Sequence, residues 1–336
     1  MCITILTEGG QKIGYGHITR CLSLSQSLKE VGAEVSFIIN GDSESINILS
    51  EISSIEIIDW MNNKRRLLDR LQNVDILIID SILINRSFFK KIEAIVSNII
   101  FIDDYYQWVH KKGLIIDWTV LAEKNRKCIE NPSVKYLFGT TYTALRKEFW
   151  DVPKKKVSEL LDNVLVTFGG SDIRNLTPRI LRLINNCLPN SKKTIIIGGS
   201  YNNLKEIELE ANESTTLVFS PDAKKMKKCM LKADIAIASG GQTLYELARV
   251  GVPTVAIISV DNQLDDIYGW QQTGFLMNAG WWNCHDLEQN IIDLITKCIN
   301  KSKRKKMISI GLSFIDGQGA KRIADNIIGM KNDSSI

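Results

Sequence analysis

Histidine is scarce in this 336-residue chain, which has only His17, His110 and His285. No two of its seven cysteines, at 2, 21, 128, 187, 229, 284 and 298, form a Cys-x-x-Cys pair. Zinc sites are built from clustered thiolates and imidazoles, so no metal is expected. An odd number of single cysteines argues for reduced thiols rather than a disulfide framework. No apolar run approaches the roughly 18 residues that a membrane span needs. The chain opens on a strand-like run at 3–6, without the basic and apolar regions of a signal peptide. A cytoplasmic protein with no integral membrane segment is expected. Nor is one sign of charge in excess: 42 Lys and Arg against 38 Asp and Glu leave +4, too little for a nucleic-acid footprint. The basic clusters at 154–156, 224–228 and 301–306 read as solvated helix faces and linkers, the last also suited to anionic headgroups.

The chain is 44% hydrophobic and 24% charged, with short apolar runs alternating with longer amphipathic segments. That is the pattern of βα units covering both faces of a parallel sheet. Strands are predicted at 3–6, 35–39, 55–58, 75–79, 99–102 and 115–120 in the first half. In the second half they are predicted at 164–168, 194–197, 216–219, 234–238 and 252–258, with helices near 174–187, 203–211, 222–232 and 242–250. Between the halves, Pro153 and Lys154-Lys155-Lys156 interrupt both periodicities. The expected organisation is α/β: two Rossmann-like, doubly wound parallel-sheet domains at 1–152 and 159–330, a linker at 153–158 and a frayed tail at 331–336.

Open parallel sheets bind ligands at the carboxyl ends of their strands, and polar residues collect there in this sequence. Gly14-Tyr15-Gly16-His17 joins the first strand to a helix over 18–30. Backbone N–H groups and the positive end of a helix dipole converge at such a turn, and imidazole exchanges protons near neutral pH. Asp80-Ser81 and Asp103-Asp104 end two further strands. Adjacent carboxylates point in opposite directions, so one of Asp103 and Asp104 is expected to face the site. In the second half, Gly169-Gly170-Ser171-Asp172 and Gly240-Gly241-Gln242-Thr243 each end a strand and enter a helix. They read either as plain turns needing positive φ or as amide cradles for a pyrophosphate, with Glu246 placed to accept from ribose hydroxyls. Asp261-Asn262-Gln263 suits either a turn or the reading of sugar hydroxyls. Trp281-Trp282 reads as core or domain contact.

In their order and spacing, these segments resemble the UDP-sugar hydrolases of pseudaminic acid biosynthesis and their spore-coat-polysaccharide relatives, members of the GT-B fold group. The likeness covers almost the whole chain. It rests on Gly14-x-Gly16-His17-x-x-Arg20-Cys21-Leu22, Asp80-Ser81, Asp103-Asp104 and Tyr142-x-x-Leu145-Arg146-x-Glu148-Phe149. It continues through Phe168-Gly169-Gly170-Ser171-Asp172-x-x-Asn175, Gly240-Gly241-x-Thr243-Leu244-Tyr245-Glu246, Gly251-Val252-Pro253, Asn262-Gln263 and Asp316-Gly317-x-Gly319-Ala320-x-Arg322-Ile323.

The resemblance implies a GT-B fold, its two domains facing each other across a cleft, with UDP held mainly by the second and the histidine contributed by the first. The implied reaction is removal of UDP from a 2,4-diacetamido-2,4,6-trideoxy hexose by attack of water at the anomeric carbon, without metal or cofactor, in nonulosonic (pseudaminic) acid or surface polysaccharide biosynthesis. His17 would act as general base or would position and polarise the water, with Asp80 and Asp104 catalytic beside it. Gly14, Gly16, Arg20, Arg146, Gly169, Gly170, Ser171, Asp172, Gly240, Gly241, Gln242, Thr243, Glu246, Asn262 and Gln263 would contact the UDP-sugar. The expected partners are that substrate and water, with no nucleic acid; oligomeric state stays open. One departure bears on substrate choice: the family commonly shows Asp-Ser-Tyr after the strand near 79, and here Ile82 stands in the third place. A GT-B glycosyltransferase of the MurG type, with an acceptor replacing water, is the alternative, and a non-catalytic nucleotide-sugar-binding subunit is a third reading.

Overall fold

A computed structural model of the chain describes residues 1–10, 13–104, 110–126, 131 and 133–333. Cys128 and the last three residues of the expected tail lie outside the described residues, while Cys2, Cys21, Cys187, Cys229, Cys284 and Cys298 are free thiols. Two compact units are present, one made of Met1–Lys147 with Gly317–Ile336, the other of Glu148–Asp316.

The first unit is built on strands β1 (Cys2–Glu8), β2 (Glu34–Asn40), β3 (Ile55–Ile57), β4 (Ile76–Asp80), β5 (Asn98–Ile102), β6 (Gly113–Asp117) and β7 (Val134–Phe138). Among the described residues they form one parallel sheet in the order β3-β2-β1-β4-β5-β6-β7. Its helices are α1 (Gly16–Glu30), α2 (Ser43–Ile48), α3 (Lys64–Leu71), α4 (Arg86–Glu93) and α5 (Ala122–Arg126). The chain winds outward from β1 to β3 and then jumps back to β4 on the other side of β1. The carboxyl ends of β1 and β4 therefore flank a topological switch point, where open α/β sheets leave a crevice. Ile76 through Ile79 are all buried, as expected of a strand covered on both faces.

The second unit repeats the plan with β8 (Asn163–Thr167), β9 (Lys192–Ile197), β10 (Thr215–Phe219), β11 (Ile235–Ser239), β12 (Thr254–Ile258) and β13 (Leu276–Trp281). Their order is β10-β9-β8-β11-β12-β13, again parallel. Helices α6 (Leu176–Cys187), α7 (Leu204–Glu210), α8 (Ala223–Lys232), α9 (Gln242–Val250), α10 (Leu264–Thr273), α11 (Leu287–Ile299) and α12 (Lys301–Phe314) complete it. The switch point here lies between β8 and β11, the two strands that end in the glycine pairs.

The α/β, Rossmann-like reading of both halves matches the structure, with two strands added at sheet edges. β7 carries the exposed Lys135, and β13 contains Asn278 and Gly280 with a register shift opposite Ala256 and Ile257. An edge strand covered on one side need not be continuously apolar, so neither produces the run that marks a buried strand.

The boundaries fall differently from those expected. Residues 153–158 fall inside the second unit, where cationic side chains satisfy backbone carbonyls around them. Arg249 donates from Nε to the Phe149 carbonyl (3.0 Å) and from Nη2 to that of Trp150 (2.8 Å). Arg304, 1% exposed, donates to the carbonyls of Ser158 (2.6 Å), Cys298 (2.6 Å) and Ile299 (2.8 Å). Lys155 donates to the carbonyls of Met230 and Ala233, and burial lowers its pKa to about 8.

The chain also leaves the second unit after Asp316 rather than at 330. Its last helix, α13 (Gly319–Asp333), belongs to the first unit, lies along α1 and extends to Asp333, three residues into the expected tail. A Cβ at Gly319 would run into the backbone of Thr143, and Arg322 Nη1 donates to the Thr141 carbonyl at 3.0 Å. The Gly317-x-Gly319-Ala320-x-Arg322 run is thus a docking motif for this helix. Among the described residues, no helix is long and apolar enough to cross a membrane.

Candidate functional site

Three strand ends and one helix converge in the first unit. β1 pairs with β4 so that Thr7 lies opposite Asp80, and β4 pairs with β5 so that Ile79 lies opposite Phe101. Asp80 and Asp104 therefore emerge on the same sheet edge. α1 returns from the end of β1 and begins at Gly16, which puts His17 in its first turn. Arg20, three residues on, shares that helix face.

Asp80 is fully buried and lies at the centre of a charged cluster. His17 Nδ1 lies 2.7 Å from its Oδ1, while Arg20 donates from Nε to Oδ2 (2.6 Å) and from Nη2 to Oδ1 (2.5 Å). Arg20 also pairs with Asp104 through Nη1, and its Nη2 reaches Asp104 Oδ1 at 3.2 Å. Cys21 Sγ completes the shell of Asp80 at 3.3 Å from Oδ2, and the Arg20 guanidinium lies 5.6 Å from the centre of the buried Trp118 ring. Arg20 Nη2 approaches His17 Nδ1 at 3.1 Å. Both guanidinium and carboxylate cannot be served by a lone pair on that nitrogen. The shorter contact, to an acceptor-only carboxylate, suits an Nδ1–H donor.

The electrostatics follow from burial and charge. Burial pushes the Asp80 carboxyl up, but Arg20 and then His17 outweigh it and hold Asp80 far below the usual carboxylate range. Burial likewise disfavours the Arg20 cation, and Asp104 and Asp80 overcome it, raising the guanidinium pKa. Burial raises the Cys21 thiol, with Asp80 adding to the effect, so Cys21 is neutral and donates. The cluster is an ionised carboxylate clamped bidentately by one arginine, presenting one oriented imidazole in a low-dielectric pocket.

The paired acids, both just beyond β5, meet different partners. Asp104 joins Arg20, whereas Asp103 is fully buried and turns to His110, its Oδ2 3.3 Å from Nε2 beside Phe89 and Phe101.

Glu8, at the end of β1, was not expected in the site. Its buried carboxylate accepts from Ser81 Oγ, from the Ile82 amide at 2.6 Å and from the Leu83 amide at 3.1 Å. It holds the loop on which the exposed Ile82 stands. A polar residue closing an apolar strand, Ile5-Leu6-Thr7-Glu8, was the signal available.

Gly14 does not offer its amide to an anion. Its N–H and C=O both pair with Gly10, at 2.7 and 3.0 Å, and its φ of +79° closes that turn. Gly16 opens α1. Arg146 is half-buried on the segment between β7 and the unit boundary.

In the second unit, the expected binding residues divide into two groups. Asp172 is a correction: it is 5% exposed and its carboxylate faces its own helix, accepting from the amides of Leu176 (2.8 Å) and Thr177 (2.7 Å) and from Asn203 Nδ2 (3.0 Å). It caps α6, because the first-turn amides of a helix lack intrahelical partners. Gln263 is partly committed too, its Oε1 accepting from the Ser259 amide at 3.0 Å.

The remainder lies along the switch-point edge. Gly169 (φ +80°) and Gly170 are exposed beside the half-buried Ser171, and the Gly169–Gly170 turn packs on Gly198. Gly241 (φ +109°) precedes α9, which has neither a side-chain cap nor an acid in its first turn. Gln242 and Thr243 are half-buried there, Glu246 is 3% exposed one turn further on, and Asn262 is exposed on the turn after β12. Trp282 is partly buried against the core of this unit, in line with the core reading.

The fold is α/β of the GT-B type. The chain aligns with MurG of Acinetobacter baumannii at a TM-score of 0.66 and 14% identity, covering 98% of this chain and 100% of the other. It aligns with MnaA of S. aureus, solved with UDP, at 0.69 and 13% identity, covering 98% and 97%.

Residues 163–324 match the family model described as the glycosyltransferase family 28 C-terminal domain. Among curated proteins, the chain is 28% identical over 270 residues to an uncharacterized protein of Methanocaldococcus jannaschii, covering 76% of this chain and 55% of that protein. It is 21% identical to the spore coat polysaccharide biosynthesis protein SpsG of Bacillus subtilis, over 96% of both. It is also 25% identical to the pseudaminic acid cytidylyltransferase and UDP-2,4-diacetamido-2,4,6-trideoxy-beta-L-altropyranose hydrolase of Helicobacter pylori, covering 79% of this chain and 46% of that one. The chain thus spans about half the length of two of the curated relatives it matches.

Proposed function

We propose that the chain is an enzyme acting on a UDP-sugar, and that it hydrolyses a UDP-2,4-diacetamido-2,4,6-trideoxy hexose. The observation that carries this reading is the buried His17–Asp80 contact at 2.7 Å, clamped by Arg20. Such an arrangement orients an imidazole for proton abstraction and favours the imidazolium once it forms. Likeness to the Helicobacter pylori protein, whose name includes a UDP-2,4-diacetamido-2,4,6-trideoxy-beta-L-altropyranose hydrolase, supports this substrate class.

In this reading, His17 Nε2 takes a proton from water as the water oxygen bonds to the anomeric carbon. The bond from that carbon to the β-phosphate oxygen breaks, and UDP leaves with the electron pair. Glycine-turn amides at 169–171 and 240–242 stabilise the charge developing on the diphosphate, and Glu246 accepts from the ribose. Asp104 holds Arg20 through Nη1 and through Nη2, which it shares with Asp80. Ile82 takes the place where the family commonly has a tyrosine, so it bears on which sugar is accepted.

Transfer to an acceptor is the second reading, favoured by the match of residues 163–324 to a glycosyltransferase domain. One experiment separates the two. The protein is incubated with UDP-diacetamido sugars in ¹⁸O-water, with UDP release followed and label sought in both products. Release without acceptor, with ¹⁸O in the sugar and none in UDP, is expected. Release only on adding an acceptor would establish transfer, and no release from any donor under either condition would overturn both readings.

A further inference from the structure

The six turns at the carboxyl edge of the second sheet, 168–175, 198–203, 220–222, 240–241, 259–263 and 282–286, contain a single Lys or Arg, Arg174. It occupies one of the variable places between Asp172 and Asn175. Resting on the UDP reading above, we propose that Arg174 is the cation that binds the diphosphate of the nucleotide.

Its geometry is that of a pre-oriented fork rather than a loose surface side chain. Arg174 Nε donates to the Ser259 carbonyl at 3.1 Å, and its guanidinium lies over the Trp282 ring, 4.4 Å from the centroid. One hydrogen bond and one stack fix the plane of the group, while Nη1 and Nη2 remain for a ligand. No carboxylate among the described residues forms an ion pair with Arg174. Asp172, two residues away, has its charge turned into the first amides of α6.

The anchor points also tie Arg174 to the glycine turns. Ser259 donates its amide to Gln263 Oε1 at 3.0 Å, and Gln263 packs so closely on Gly240 that a Cβ there would lie 2.6 Å from Gln263 Cβ. Arg174 leaves the turn that follows β8 and is fastened to the turn that follows β12, and β11 with its glycine pair lies between those strands. A helix N-terminus offers only about half a positive charge, so the diphosphate of a departing nucleotide needs more. A planar guanidinium with two open N–H₂ groups matches phosphate oxygens bidentately. The plain alternative is that the stack serves packing alone.

The test is calorimetric titration of the wild type, Arg174→Ala and Arg174→Lys with UDP, inorganic pyrophosphate and uridine, together with thermal melting. Expected are at least about 10-fold weaker UDP and pyrophosphate binding by Arg174→Ala, partial recovery in Arg174→Lys, unchanged uridine binding and an unchanged melting temperature. Wild-type UDP affinity in Arg174→Ala would overturn the proposal while leaving the UDP reading standing. Parallel loss of uridine and UDP with a lowered melting temperature would overturn it in favour of packing. Arg174-dependent binding of pyrophosphate without binding of UDP would support the diphosphate site and remove the UDP reading. Failure of the wild type to bind either would overturn both.

Discussion

Arg20 and Asp80 meet through two parallel hydrogen bonds, Nε to Oδ2 at 2.6 Å and Nη2 to Oδ1 at 2.5 Å, with Asp80 fully buried. Since α1 supplies the arginine and β4 the carboxylate, this one pair locks the first helix to the switch point of its sheet. His17, one helical turn before Arg20, places its Nδ1 against the same carboxylate at 2.7 Å.

Asp80→Asn should separate stability from chemistry. Removing one partner of a buried ion pair costs at most about 3–5 kcal/mol, and the Arg20–Asp104 pair that remains keeps the loss below that ceiling. Turnover should fall about 10²- to 10⁴-fold, since an amide no longer enforces the Nδ1–H tautomer. Chemical denaturation and UDP release measure the two effects, and wild-type turnover in a folded Asp80→Asn protein would exclude the tautomer argument.

His17→Ala tests the base directly. UDP release should drop about 10²- to 10⁴-fold while UDP affinity, read by calorimetry, stays within error. Near-normal turnover would remove His17 from the mechanism.

Glu8→Gln should alter the pH dependence of stability in a defined direction. Burial raises the Glu8 carboxyl above its ordinary 4.5, more than Ser81, His17 and the Ile82 and Leu83 amides lower it. A raised folded-state pKa gives stability that is complete below the unfolded value and is lost as pH rises through the folded one. The stability of the wild type relative to Glu8→Gln should therefore decline from pH 4.5 upward. Parallel denaturation curves for the two proteins from acid to neutral pH would refute it.

Gly319→Ala should destabilise the first unit by about 1–3 kcal/mol, because the added methyl meets the Thr143 backbone, which cannot yield as a side chain would. Hydrogen exchange should quicken in α13 and in the face of α1 beneath it. Unchanged protection in both would show that the helix docks by other contacts.

Much of this was legible in the sequence. The buried strands announced themselves as apolar runs, and the polar residues at their ends, His17 after β1, Asp80 closing β4 and Asp104 after β5, fell on one sheet edge because parallel βα units put every strand's carboxyl end on the same side. The glycine pairs were legible for the same reason. What stayed hidden depends on partners distant in sequence. Glu8 is defined by amides 74 and 75 residues away, and Arg174 by a carbonyl 85 residues on. Local pattern also misled at Asp172, where a carboxylate at a glycine turn serves its own helix, and at Pro153–Lys156, where a break in periodicity falls inside the second unit rather than between the two.

The sequence by itself determined the class of fold and the edge on which the chemistry collects, because periodicity and turn residues are local properties that burial converts directly into strands and helices. Only the tertiary structure decided which carboxylate meets Arg20, what His17 Nδ1 faces, and that the last helix belongs with the first unit. Those outcomes depend on strand register and on close backbone approaches such as Gly319 against Thr143, which exist only once distant segments have packed.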